Sequence, residues 1–388
     1  MNLNQRQLRS QKPLALYDKW LIAAVVGLVI IGLMMVASSS VMVSTKYFHQ
    51  PFHFLIRQIC YLIIGFLIAM VVMRIDSSVL EKCSIPLLLI CLLLLIAVLI
   101  PGIGRVVNGS RRWVSFGIIS IQVSELAKMT IILYVSGYLV RQQKNIVQSI
   151  AGFIKPMIVL AIFAFFLLLE PDFGATVVIT GTVMAMLFLT GVKIRYYLGL
   201  LIVVVICLAC LAVSSPYRMA RLTAFLNPWA DQFNSGYQLT QSLIAFGRGG
   251  WFGVGLGSGI QKLLYLPEAH TDFVFAVLAE EFGLVGLLFV VGLYGLLVWR
   301  GLMIGFNAYS QDRLFAAFTA YGLTFWIGLQ AAINMGVNLG LLPTKGLTLP
   351  LLSYGGASLV VNCIVIALLL RIDHENRWQS LGLRKLAS

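Results

Sequence analysis

The sequence predicts an all-α fold: a polytopic membrane protein of about ten transmembrane helices, with one long extracytoplasmic loop before the eighth. Three observations carry this. Of the 388 residues, 60% are hydrophobic and 11% charged, against about 45–50% and 25% in soluble domains. The apolar residues are gathered into runs close to the ~20 residues that cross a hydrocarbon core. The basic residues fall between those runs and are biased to one side. A soluble globular enzyme, a disordered chain and a disulfide scaffold are thereby excluded, and residues 1–388 read as one membrane domain.

The apolar runs lie at 20–43, 52–73, 84–100, 118–140, 154–170, 174–190, 196–213, 272–299, 314–336 and 349–371. The first is too long for a signal-peptide core and lacks a cleavage site. An even number of spans returns both termini to one side. That side collects 17 basic residues, among them Arg9, Lys19, Arg74, Arg141, Arg300, Arg313, Arg371 and Arg384. The other side has ten, four of them in one long segment, where the positive-inside rule counts weakly. The tails at 1–19 and 372–388 are therefore expected in the cytoplasm, and the segment 214–271 outside. This excess, a net charge of +14, is explained without a nucleic-acid partner. Of six cysteines, Cys207 and Cys210 match C-x-x-C, but they sit inside an apolar run with no second pair and read as packing. His49 and His53 are four apart with no evident third ligand.

The outer segment is too long to be an ordinary loop and carries the stretch Gly247-Arg-Gly-Gly-Trp-Phe-Gly-Val-Gly-Leu-Gly-Ser-Gly259. No strand precedes it, so close backbone packing is the better reading than a nucleotide site.

Ionisable groups within or at the rim of a span are costly, and by default they are functional candidates. Four groups qualify. Asn108-Gly-Ser-Arg-Arg-Trp113 precedes Ser124-Glu-Leu-Ala-Lys128, where Glu125 and Lys128 share a helical face. This pair is either a packing ion pair or the wall of a polar cavity, with Trp113 beside it; Asn108-Gly-Ser110 also matches a glycosylation sequon. Glu170-Pro-Asp172 reads first as a solvated hairpin, and alternatively as a cation site or a cavity rim. Leu266-Pro-Glu-Ala-His-Thr-Asp-Phe273 brings Glu268, His270 and Asp272 to the point where the long segment re-enters the membrane. Helical geometry allows Asp272 and Glu280 to share a cavity face, while Glu281 points to a neighbouring helix. A carboxylate at an apolar rim has a raised pKa and suits a general base; an N-cap is the structural alternative. Last, Gln330, Asn334 and Asn338 form a polar stripe before Gly340–Gly356, with Lys345 and Ser353 in the loop beyond it. Interhelical hydrogen bonds and a cavity lining are both open for the stripe.

These four motifs, in this order, resemble the SEDS family (shape, elongation, division and sporulation), across all ten spans and the long loop. The Arg-Arg-Trp version of the first motif and Pro343-Thr-Lys-Gly-Leu-Thr-Leu-Pro350 resemble its division branch most. The resemblance implies a peptidoglycan glycosyltransferase that polymerises lipid II, a disaccharide-pentapeptide on undecaprenyl diphosphate, at the outer face of the cytoplasmic membrane during septal synthesis. The family's essential loop aspartate maps onto Asp272, and its span-four acid and lysine onto Glu125 and Lys128. On this reading Asp272 takes the proton of the acceptor hydroxyl. Arg111, Arg112, Lys128, Arg218, Arg221, Arg248 and Lys345 are candidate cations for the diphosphate, and a divalent cation, Mg or Mn, is an optional assistant with no certain ligands. The implied partners are lipid II, the growing undecaprenyl-diphosphate-linked glycan, a class B penicillin-binding protein and other division proteins of the membrane. A lipid II flippase and a non-catalytic scaffold are the alternatives. A transporter would place its polar groups nearer the midplane and often shows repeated halves.

Overall fold

In the computed structural model, residues 17–107, 110–116, 119–148 and 150–380 are described. The chain runs α1 (Lys19–Phe48), α2 (His53–Val72) and α3 (Ser77–Leu99), then three short strands, β1 (Gly104–Val107), β2 (Ser110–Phe116) and β3 (Ile119–Gln122). Helices α4 (Val123–Arg141), α5 (Gln143–Gln148), α6 (Ile150–Leu169), α7 (Phe173–Phe188) and α8 (Ile194–Val213) follow. The outer segment contributes α9 (Pro216–Leu226) and α10 (Tyr237–Gly249), and α11 (Val274–Tyr309), α12 (Leu314–Asn338) and α13 (Gly356–Ser380) complete the bundle.

Eight of these helices are long and apolar enough to cross a membrane; Ile154–Leu169 and Phe173–Phe188 are shorter apolar helices. The 16 residues of α7 rise about 24 Å, short of the ~30 Å core, whereas the whole of α6, Ile150–Leu169, has 20 residues. Burial runs opposite to apolarity. The two least apolar spans, α4 and α12, are 78% and 72% buried, whereas α8 is 0% buried. In lipid the outer helices keep their apolar surface exposed, and the inner ones are held by small residues and hydrogen bonds.

The structure corrects the expected elements at four places. Residues 118–140 are not one helix: an antiparallel meander, β1–β2–β3, occupies 104–122. The tenth span begins at Gly356 rather than 349, because 349–355 belong to a loop over the site, and it runs on to Ser380. The outer segment is itself helical in two places, with amphipathic α9 and α10. Most important for the site, α11 is broken at Gly283 (φ 66°, ψ −164°), leaving a short half-helix, Val274–Phe282, ahead of the long one.

The glycine-rich stretch fills that break. Val254 and Gly255 donate their amides to the carbonyls of Glu280 (2.9 Å) and Glu281 (3.1 Å), and Leu284 and Val285 donate to those of Gly250 (2.9 Å) and Trp251 (3.1 Å). A Cβ at Gly253 or Gly283 would collide with this backbone-on-backbone contact, and both residues have positive φ. The expected close packing is present, and its function is to replace the helical hydrogen bonds lost at the kink.

Candidate active site

Asp272 sits in the turn just before the half-helix, half-buried. Its backbone is fixed from α12. Asn334 Nδ2 donates to the Asp272 carbonyl at 2.8 Å and to the Leu347 carbonyl at 2.6 Å; Asn338 Nδ2 donates to the same Asp272 carbonyl at 3.0 Å. Asn338 Oδ1 accepts the amide of Ala276 at 3.2 Å, which starts the half-helix. One turn back, Gln330 Nε2 donates to the carbonyl of Thr348 at 2.9 Å. The polar stripe of α12 is therefore aimed at backbone. It stitches the Asp272 turn and the 344–355 loop to one helix. Gly346 leaves room for the carboxylate, since a Cβ there would lie 2.9 Å from Asp272 Oδ2.

The carboxyl pKa of Asp272 is pushed up to about 7. Burial is the main cause, the negative charges of Glu268 and Asp172 add to it, and Arg221 and Arg112 pull the other way. These groups converge from separate elements. Arg221 comes from α9, with Nη1 donating to the Thr344 carbonyl at 3.2 Å. Arg112 comes from β2, donating through Nε to the Glu170 carbonyl (2.9 Å) and through Nη2 to the Pro171 carbonyl (2.7 Å). Asp172 caps α7 by accepting the Ala175 amide at 3.1 Å. Lys345 Nζ lies 4.2 Å from the centre of the Phe173 ring, at the start of α7. Glu268 is exposed, with Oε2 accepting from Thr271 Oγ1 at 2.7 Å. The Glu170–Asp172 turn is not a solvated hairpin: its two acids are 1% and 4% exposed. It is the rim of the site.

His270 is buried, tilted against Phe54 at 4.6 Å and near Tyr354 at 5.6 Å. Burial holds its imidazole below the usual histidine range, with the charge of Glu268 opposing. Its carbonyl accepts the Tyr354 amide at 2.9 Å, a second tie between the Asp272 turn and the last loop. Ser353 spends its hydroxyl on the Leu349 amide (2.9 Å), inside that loop.

Other candidates stand apart from this cluster. Lys128 and Glu125 pair at 2.7 Å deep between helices. Lys128 also donates to Gln330 Oε1 at 2.7 Å, and its Nζ lies 4.9 Å from the Trp326 ring centre. Ser358 Oγ reaches Glu125 at 3.5 Å. At 1% exposure, Lys128 touches the site only through Gln330 and the loop carbonyls. Glu280 is not on the Asp272 face. It is fully buried, accepting the amides of Ile260 (2.9 Å) and Gln261 (3.1 Å), with Arg248 Nε at 3.5 Å. Arg248 is thereby committed to a carboxylate. In β2, Arg111 and Trp113 flank Arg112, which is the extra residue at a bulge in the β1–β2 pairing, and both are half-buried. Arg218 lies on α9, its side chain outside the described residues, as is Asn108 of the sequon. His53 stacks on Phe48 at 3.8 Å. Among the described residues no group of three or more His, Cys, Asp or Glu could hold a metal ion, so no ligand set is assigned to a divalent cation.

The fold and this arrangement define a class: a polytopic membrane protein with a carboxyl of raised pKa at one rim of the bundle, acted on by two arginines. The comparisons narrow it. A family model described as "Cell cycle protein" (FtsW/RodA/SpoVE) matches residues 19–378, and the chain belongs to that family. It is 73% identical over 387 residues to a protein of Legionella pneumophila named "Probable peptidoglycan glycosyltransferase FtsW", covering 100% of this chain and 98% of that one. A Coxiella burnetii protein of the same name is 54% identical over 359 residues, covering 92% and 96%. Among solved structures, a chain from "Structural coordination of polymerization and crosslinking by a peptidoglycan synthase complex" superposes with a TM-score of 0.77 at 29% identity, covering 94% of this chain and 99% of that chain. The rod shape determining protein RodA of Thermus thermophilus superposes at 0.70, also 29% identical, covering 95% and 99%.

Proposed function

We propose that the chain is a peptidoglycan glycosyltransferase that polymerises lipid II at the outer face of the cytoplasmic membrane during division, with Asp272 as general base. The observation that carries the assignment of Asp272 is its setting: a carboxyl held up near neutrality, backbone-anchored by two asparagines and acted on by Arg221 and Arg112, with Lys345 next to the Gly346 that makes room for it.

The acceptor sugar hydroxyl loses its proton to Asp272 as its oxygen attacks the anomeric carbon of the donor. One displacement turns the α-linked diphosphate into a β-1,4 bond, so no covalent enzyme intermediate is needed. The departing diphosphate carries away the bonding electron pair, and Arg221, Arg112 and Lys345 offset its charge at the rim. A base with a pKa near ambient pH is the efficient compromise between being ionised and being basic. Both termini lie in the cytoplasm on this reading. A class B penicillin-binding protein, placed against the outer loops and spans eight and nine, cross-links the product. Lys128 and Glu125 support the loop from below rather than contact the diphosphate.

The test is gel-resolved polymerisation of labelled lipid II by the purified protein with its cognate transpeptidase, whose own active site is blocked. Glycan ladders from the wild type and none from Asp272→Asn are expected. Ladders of wild-type intensity from the variant would remove Asp272 from the centre of the mechanism. Absence of ladders from both, with active partner verified, would return the flippase and scaffold readings.

A further inference from the structure

The half-helix that follows Asp272 is clamped at its far end by a contact that the mechanism above does not use. Glu281 lies on the half-helix one residue before Phe282 and two before the break. Its carboxylate accepts from Lys262 Nζ at 2.5 Å and from Ser38 Oγ at 2.7 and 2.9 Å, and Lys262 also donates to Ser38 Oγ at 2.6 Å. Ser38 belongs to α1 and Lys262 to the outer segment, so three separate parts of the chain meet at one carboxylate. Both charged side chains are nearly out of solvent, at 7% and 0% exposure. Such a pair is weak evidence for stability, because desolvation offsets most of its attraction. It does fix geometry, since each partner is costly to leave alone. The half-helix is thus gripped at its first turn by Asn338 on the Ala276 amide, and at its last by Glu281. Gly283 uncouples it from the long helix beyond, so the grip on α1 replaces the rigidity that a continuous helix would supply.

We propose that Glu281, with Lys262 and Ser38, is a positioning residue for Asp272: the triad locks the half-helix to α1 and so sets where the general base stands at the rim. This rests on Asp272 being the base. Release of the lock lets the half-helix shift and water reach the carboxylate. A misplacement of about 1 Å can cost ~10²-fold in rate. The charged groups acting on Asp272 are Glu268 on its own turn, Arg221 on α9, Arg112 on β2 and Asp172 at the start of α7; His270 two residues back packs on Phe54 and Tyr354, and Lys345 on the last loop lies over Phe173. Burial is the largest influence on it, so hydration lowers its pKa.

The experiment is polymerisation of lipid II with the blocked partner, measured as kcat and KM across pH for wild type, Glu281→Gln, Glu281→Asp and Ser38→Ala. For Glu281→Gln the expected result is a fall in kcat of about tenfold with KM within about twofold, and an acid limb moved to lower pH. Glu281→Asp restores part of kcat. Ser38→Ala removes the hydroxyl's hydrogen bonds with Glu281 and Lys262 without uncovering a charge; it shows the same shift in smaller measure, and decides the matter if Glu281→Gln fails to fold. A fall in yield or melting temperature with kcat per folded molecule and the acid limb both unmoved would reduce the triad to a structural contact and overturn the proposal. Wild type without ladders would instead sink the function itself, a failure distinguishable from this one.

Discussion

The two ends of the bundle treat charge in opposite ways. At the end where α1 starts and α13 finishes, the buried carboxylates meet guanidinium groups. Asp18 pairs with Arg300, Glu375 with Arg313 and Arg371, and Asp373 with Arg377 at 2.8 Å. Glu375 also accepts the amide and hydroxyl of Ser77, at 3.0 and 2.6 Å, which ties α3 to α13. Asn376 completes the lattice by donating to the Ile304 carbonyl at 3.0 Å. At the rim two carboxylates, Glu170 and Asp272, are under-served, although Glu280 and Glu281 on the half-helix beyond them are paired. Both Glu170 oxygens are buried without a hydrogen bond among the described residues. Asp272 forms no ion pair among them, and Arg221 and Arg112 act on it through space. A satisfied lattice fixes helix ends. A carboxyl kept short of partners keeps a pKa near neutrality and a lone pair to offer.

Four outcomes sharpen or break this contrast, from the largest effect to the smallest. Asp272→Asn should cost about 10²–10⁴-fold in polymerisation rate, while its melting temperature in detergent stays level or rises, since the amide need not ionise. Glu375→Ala should do the reverse. It leaves the nearly buried Arg313 facing the neutral Asn376 and Ser77, while Arg371 keeps Asp76, and destabilises by about 3–5 kcal/mol in a chemical or thermal unfolding series, with kcat of the folded fraction unchanged. If Glu375→Ala instead lost activity at full stability, the lattice end would belong to the mechanism. Arg221→Gln removes a charge that lowers the Asp272 pKa, so the acid limb of the pH–rate profile should move to higher pH as KM rises.

Glu170→Gln should act on stability alone. Burial, then the charge of Asp172, raise Glu170 from the ordinary value of 4.5 to about 8, with Arg112 opposing. The folded protein then keeps a proton that the unfolded chain has lost, so wild-type stability declines as pH rises through that window. The glutamine variant should lose this decline and be the more stable above about pH 8, by a margin of about 1–3 kcal/mol. Equal pH dependence of the two melting curves would show that Glu170 is charged in the folded state.

Much of this was legible in the sequence. Long apolar runs give spans because lipid demands them, and the acid at 272, the stripe at 330, 334 and 338, and Arg112 and Arg221 all reach one rim. What was not legible depends on tertiary partners. Helical spacing placed Glu280 beside Asp272, but two loop amides turn it to the outer segment. Periodicity is read along a continuous helix, and Asp272 lies in the turn before that helix begins at Val274. The signal available was the glycine-rich stretch, whose contact site no local pattern reveals. The meander at 104–122 was hidden in an apolar run that also suits a helix. Burial of Glu170 follows from packing across α3, α4 and α6, which a turn signature such as Glu-Pro-Asp does not encode.

The most direct test of the central claim is the pH dependence of kcat for lipid II polymerisation, with partner present and substrate saturating, between about pH 5.5 and 8.5. A base held near neutrality predicts an acid limb centred near 7, moving upward in Arg221→Gln. A profile flat over this range, or a limb at the ordinary aspartate value that Arg221→Gln leaves in place, would contradict it.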